Sequence, residues 1–171
     1  MELYLQFVSA AEAKDLDTLL RIIREHPALH DHEGDDGSLL DVLRYNCPEY
    51  IEAAFQAGLS PDCGPKVQHE TFLKHAAAND DAEFVRLSLR YGADIERRNN
   101  ERETALGYAA SWASLEVVRI LVEAGVDVNA IEGTQKEQYS TALDAAYKRP
   151  EIADYLRQHG AKKWIELQTT S

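Results

Sequence analysis

Residues 103–130 read ETALGYAASWASLEVVRILVEAGVDVNA, and this stretch decides the fold. Thr104 stands where a helix opens, its hydroxyl able to accept a backbone N–H as a cap. The next residues are short and rich in small side chains, Ala109 and Ala110 among them, so this helix can approach its neighbours closely. After a turn, Val117, Val118, Ile120 and Leu121 recur at helical spacing, which predicts a second helix with one apolar stripe. Gly125 ends it, because the position after a helix favours a left-handed backbone that costs glycine little. Asp127-Val128-Asn129 leads into a polar loop. A lone pair of this size cannot bury its stripe, so other pairs are expected beside it.

The rest of the chain supplies them. Ser38-Leu39-Leu40, Thr71-Phe72-Leu73, Thr104-Ala105-Leu106 and Thr141-Ala142-Leu143 start 33, 33 and 37 residues apart. Gly58, Gly92, Gly125 and Gly160 follow at spacings of 34, 33 and 35. One period before Ser38, Phe7, Ala10 and Ala11 fall in register with Leu73, Ala76 and Ala77, and Leu16, Leu19, Leu20, Ile22 and Ile23 follow. A repeat of this length predicts stacked supersecondary units rather than one closed globule.

The unit at Glu103 to Ala130 resembles an ankyrin repeat. That family's pattern opens Thr-Pro-Leu-His, continues with a paired small residue and closes Gly-Ala-Asp-Val-Asn. Here Thr104, Leu106, Ala109-Ala110, Gly125 and Asp127-Val128-Asn129-Ala130 match, while Ala105, Gly107 and Val126 replace Pro, His and Ala. The preceding unit keeps Thr71, Leu73, Ala76-Ala77, Val85 and Gly92-Ala93-Asp94, and the last keeps Thr141, Leu143, Ala145-Ala146, Leu156 and Gly160-Ala161. The resemblance implies an all-α ankyrin-repeat solenoid of about five stacked helix-turn-helix units joined by hairpin-like loops. It would form a single domain over residues 1–166, with units near 3–37, 38–69, 70–102, 103–139 and 140–165, and a tail at 167–171.

The terminal units are expected to be atypical, since one face of each meets water. Glu25-His26-Pro27 replaces the glycine turn in the first, and the last is shortened around Pro150. Pro48 falls where two helices should connect. Trp164 and Ile165 are expected to fold back over the apolar end, and residues Ile131 to Tyr139 to be an insertion that a connecting loop tolerates.

Composition narrows the function. The formal net charge is −12, and residues 1–64 hold 13 acidic and 4 basic side chains. That disfavours direct nucleic-acid binding, which needs clustered Lys and Arg, and favours a basic partner drawn in by the field. No apolar run approaches the roughly 20 residues of a membrane span, and the start MELYLQFVSAAEAKD lacks a basic signal region. Cys47 and Cys63 read as reduced thiols, and the cytoplasm is the expected location.

Catalytic signals are absent. Ser9, Ser60, Ser88 and Ser111 lie in no Gly-x-Ser-x-Gly setting, and Gly34-Asp35-Asp36-Gly37 is no phosphate loop. His26, His30 and His32 lie beside Asp31 and Glu33, the one motif that suggests a metal-dependent sensor or enzyme, though zinc sites group their ligands more tightly. His75 is expected to be packed or hydrogen-bonded. No cofactor is expected.

The resemblance instead implies a non-catalytic protein-binding module, using positions on the concave side. By register these are the inner-helix positions Tyr45, Asn46, Asn79, Ser111, Trp112, Lys148 and Arg149, and the loop-tip positions Asp35, Asp36, Gln68, Asn100, Glu101, Glu103 and Tyr139. Trp112 is the sharpest of them, with Tyr45, Tyr139 and Arg149 expected on its face. A groove of about 800 Å² per side would suffice for a specific complex. The expected role is a stoichiometric inhibitor, of the immunity-protein kind, that blocks a basic toxin or enzyme as a monomer in a 1:1 complex. A generic adaptor tethering two proteins is the alternative.

Overall fold

Side-chain caps and glycines start and stop the helices where the repeat spacing predicts. In the computed structural model, which describes residues 2–31, 38–63, 72–134 and 138–169, helices account for every regular element and the one β feature is an isolated antiparallel bridge, Glu132 to Ser140. The helices are α1 (Glu2–Glu12), α2 (Leu16–Glu25), α3 (Leu39–Asn46), α4 (Ile51–Gln56), α5 (Phe72–Ala78), α6 (Ala82–Arg90), α7 (Ala105–Trp112), α8 (Leu115–Glu123), α9 (Ala142–Ala145), α10 (Pro150–Gln158) and α11 (Trp164–Gln168). Ser38 and Thr141 each form a reciprocal capping box, with Asp41 and Asp144 respectively. Thr104 Oγ1 accepts from Gly107 N at 3.2 Å. Gly58, Gly92, Gly125 and Gly160 close the second helices at φ between +84° and +108°.

The packing resolves into two compact units. The first comprises the chain to Glu70 together with Tyr91–Ala93. In it α1 packs on α2 and α3, and α2 on α4. Tyr4, Phe7, Leu19, Ile22, Ile23, Leu40 and Leu43 are its buried centre. Pro48 opens a 3-10 turn, Pro48–Tyr50, between α3 and α4, so the proline sits in the connection without breaking a helix. Tyr91 rests on Phe55 with ring centroids 5.4 Å apart, and its hydroxyl donates to Glu52 Oε1 at 3.3 Å.

The second unit holds Thr71–Arg90 and Asp94–Ser171. The inner helices α5, α7 and α9 lie side by side, with α6, α8 and α10 as the outer layer. Ala76, Ala77, Ala109 and Ala110 are at most 1 % exposed, and their small side chains let the inner helices approach closely. Val85, Leu106, Val117, Val118, Leu121, Leu143 and Leu156 fill the space between layers. Polar ties at nearly one period join neighbouring pairs. Asp80 Oδ1 accepts from Ser114 N at 2.7 Å, Glu96 Oε1 from Asp127 N at 2.6 Å, and Asn129 Oδ1 from Lys162 N at 2.8 Å.

One buried position breaks the pattern. Ser88 on α6 is fully buried, and its Oγ has no hydrogen-bond partner among the described residues. An unsatisfied buried hydroxyl is destabilising, whereas an apolar group of similar shape is not. Ser88→Ala is therefore expected to stabilise the fold by about 1 kcal/mol, read as a raised midpoint in urea at unchanged slope. A lowered midpoint would mean the hydroxyl is serving a contact.

Among the described residues no helix is long and apolar enough to cross a membrane. The C-terminal end departs from expectation in part. Trp164 does fold back, half-buried, with its backbone N–H donating to Asp144 Oδ2 at 2.8 Å. Ile165 does not: it is 63 % exposed, because α11 turns it away from the stack, and that helix runs into the predicted tail as far as Gln168.

Candidate functional site

The inner helices end where the chain turns toward the outer layer, and half of the predicted contact residues lie at or just beyond these ends. On α3 in the first unit, Tyr45 is 84 % exposed. Asn46 beside it is half-buried and donates to Val42 O at 2.9 Å, so it caps its own helix. In the second unit Asn79 is exposed and donates in the same way to His75 O at 2.9 Å. His75 itself is exposed rather than packed.

Trp112 ends α7 with 73 % of its surface exposed, and Ser111 before it is half-buried. Lys148 and Arg149 form the turn into α10, the first exposed and the second half-buried. Lys148 Nζ lies 5.0 Å from the ring centroid of Tyr147. That tyrosine, 73 % exposed, was not anticipated: by register it aligns with Ala110, which is fully buried. Helix α9 stops after four residues at Ala145, so helical register no longer governs Tyr147. An open cavity of about 320 Å³ lies beside these residues, lined by Leu115, Lys148, Arg149, Pro150, Glu151 and Ile152.

Two predicted loop-tip residues have structural placements instead. Glu103 is half-buried and its Oε2 accepts from Asn99 Nδ2 at 2.6 Å and Tyr108 OH at 3.0 Å. Lys74, whose side chain is only 4 % exposed, lies 3.5 Å from the same oxygen and 4.2 Å from the Tyr108 ring centroid. Burial, then the bond to Glu103, pushes the Tyr108 hydroxyl above its ordinary pKa. Tyr139, expected on the face of Trp112, packs on Trp164 with ring centroids 5.1 Å apart. The two aromatic rings shield each other, which neither loop position alone implies. Asn100 and Glu101 remain exposed at the tip before Arg102, which takes a left-handed backbone. Asp35, Asp36 and Gln68 lie outside the described residues, as do Thr71, His32 and Glu33.

Glu132 was also missed. It lies inside the stretch expected to be a tolerated insertion, yet it is 6 % exposed. Its Oε1 accepts from Thr104 N at 2.7 Å and Thr104 Oγ1 at 2.5 Å. The carboxylate occupies the room left by Gly107, where an added Cβ would come within 2.1 Å of it. Burial pushes the Glu132 carboxyl above the ordinary range, against the two Thr104 hydrogen bonds that pull it down; Glu103 adds to the rise and Arg98 opposes it. The signal in the sequence was the glycine standing where the repeat pattern has histidine.

No metal-ligand cluster is gathered among the described residues. His30 Nε2 lies 3.1 Å from Ile23 O, and no group of three or more potential ligands is gathered. Cys47 and Cys63 are both buried and form no disulfide, and burial raises the Cys47 pKa.

The helix pairs, their caps and their spacing define a repeat protein built for surface contact, and comparison with known proteins gives the class. A family model of ankyrin repeats (three copies) matches residues 8–132 and 73–166, and the chain belongs to that family. It is similar to NF-kappa-B inhibitor cactus of Drosophila yakuba, 34 % identical over 114 residues, which is 65 % of this chain and 23 % of that protein. It is also similar to alpha-latrotoxin-Lg1a of Latrodectus geometricus, 34 % identical over 104 residues, 58 % of this chain and 7 % of that one. The chain thus spans under a quarter of either relative's length. As an ankyrin-repeat protein it is a protein–protein interaction module.

Proposed function

We propose that the chain acts by occlusion, as a stoichiometric inhibitor that covers the working surface of one protein partner. The observation that carries this reading is the pair of exposed aromatics, Trp112 at the end of α7 and Tyr147 in the turn two residues after the adjacent α9. Exposed aromatic side chains on rigid elements are costly to leave in water and supply binding energy when covered. The name of the cactus relative, an inhibitor, is in keeping with such a role. The excess of 13 acidic over 4 basic side chains in residues 1–64 favours a partner with a basic surface. A toxin or other basic enzyme neutralised in the manner of an immunity protein would fit this description.

The test begins by recovering a partner on the tagged chain at low and moderate salt, then assaying the partner's own activity. Inhibition is expected to be complete at one equivalent of the chain. Two partners that bind together without competing, both fully active, would establish the adaptor reading instead. Trp112→Ala is expected to weaken the complex by about 2 kcal/mol at an unchanged melting temperature, since its ring is mostly in water. A large fall in melting temperature with affinity intact would make Trp112 a packing residue.

A further inference from the structure

The charge of the whole chain conceals a local pattern in the second unit. Of the 17 acidic and 14 basic side chains in residues 65–171, Lys148 and Arg149 stand together at the turn from α9 to α10. Among the described residues neither has a carboxylate within ion-pair distance, and Lys148 makes its contact with the Tyr147 ring. Three other cations of this unit do meet a carboxylate: Lys74 that of Glu103, Arg86 that of Glu116 at 2.7 Å and Arg157 that of Asp154 at 3.3 Å. Lys148 and Arg149 border the 320 Å³ cavity together with Glu151, and its apolar lining comes from Leu115 at the start of α8 and Pro150 and Ile152 in α10. Trp112 stands three residues before Leu115, at the end of α7.

We infer that this corner is a docking site for an acidic, extended segment of a partner protein. A carboxylate side chain of the segment meets Lys148 and Arg149, whose guanidinium offers a bidentate pair. Neighbouring apolar side chains fill the cavity over Leu115 and Ile152, and the segment's backbone crosses the faces of Tyr147 and Trp112. Long-range repulsion from the chain's net negative charge does not forbid this. At physiological salt, charges more than about 8 Å away are largely screened, so the charges that line the cavity, Lys148 and Arg149 against the one carboxylate of Glu151, decide the local preference. The same net charge of −12 argues against a polynucleotide as the occupant, because a long polyanion meets the whole field while a short peptide meets one corner. The inference rests on the reading of the chain as a protein-binding module and is independent of whether binding inhibits; it assigns an acidic segment of the partner to this corner alone, whereas the basic surface is argued from the acidic residues of 1–64.

The test uses the intact chain and three probes of matched length labelled with fluorescein: a peptide of repeated Glu-Phe-Glu, its Lys-Phe-Lys counterpart, and oligothymidylate. By fluorescence anisotropy the acidic peptide is expected to bind at least about tenfold more tightly than the basic one. Its affinity should fall with added salt. Charge reversal by Lys148→Glu with Arg149→Glu should abolish the preference, and Lys148→Gln with Arg149→Gln, a milder change should the first pair misfold, should weaken acidic binding by about tenfold. Trp112→Ala should weaken it by a similar factor. Equal binding of both peptides, or acidic binding indifferent to the Gln pair, would overturn the proposal, as would oligothymidylate binding more tightly than the peptide. A chain that binds the acidic peptide yet leaves its natural partner active would overturn the inhibitor reading alone.

Discussion

Glu103→Ala is expected to lower the unfolding free energy by about 2–4 kcal/mol. The carboxylate is the counter-charge of Lys74, whose side chain is 4 % exposed on α5, and it also accepts from Asn99 and Tyr108. Removing one member of a buried pair takes away the opposite charge that offsets the other's burial, which costs more than the pair contributes when intact. The carboxylate is itself 35 % exposed, so water relieves part of the loss and the lower end of the range for buried pairs applies. Glu103→Gln keeps an acceptor for Asn99 and Tyr108 and should cost less. Urea unfolding of the three proteins measures this directly. If Glu103→Ala unfolds at the wild-type midpoint while partner affinity drops, Glu103 is a contact residue after all.

Gly107→Ala is expected to cost about 2–3 kcal/mol, although alanine in a helix interior ordinarily gains about 1 kcal/mol over glycine. A Cβ built at Gly107 meets Glu132 Oε2 at 2.1 Å and Cδ at 2.4 Å. The carboxylate must shift, and the cost arises because it is buried and that shift weakens its bonds from Thr104 N and Oγ1 at the start of α7. The decisive measurement is the same substitution made in Glu132→Ala, where the space is free. There Gly107→Ala should stabilise, so the sign of the effect reverses between backgrounds. An equal cost in both would show that the glycine is not making room for Glu132.

The same carboxyl leaves a mark on pH dependence. Its folded pKa is raised, so the folded state holds this proton more tightly than the unfolded chain does. Stability from this group is therefore greatest when it is protonated, at low pH. It declines as pH climbs from the ordinary glutamate range, about 4.3, through the raised folded value. Glu132→Gln, neutral throughout and still able to accept from Thr104, should remove that decline.

What could be read from the residues alone was whatever repeats. Thr104, Ala109-Ala110, Leu121 and Gly125 announce a capped helix, a close-packed helix, an apolar stripe and a left-handed stop, and each is a local rule tied to a fixed offset. The family, the all-α class and the exposure of Trp112 all follow from offsets of this kind. Glu103, Tyr139, Tyr147 and Glu132 were misjudged or missed for one shared reason. Their decisive neighbours lie about 25 to 29 positions away, or the helix before them ends early, and no offset within a single unit encodes this. Periodicity determined which elements form. Only the tertiary packing decided which polar side chains the elements bury between them, because burial and charge pairing depend on neighbours brought together by stacking.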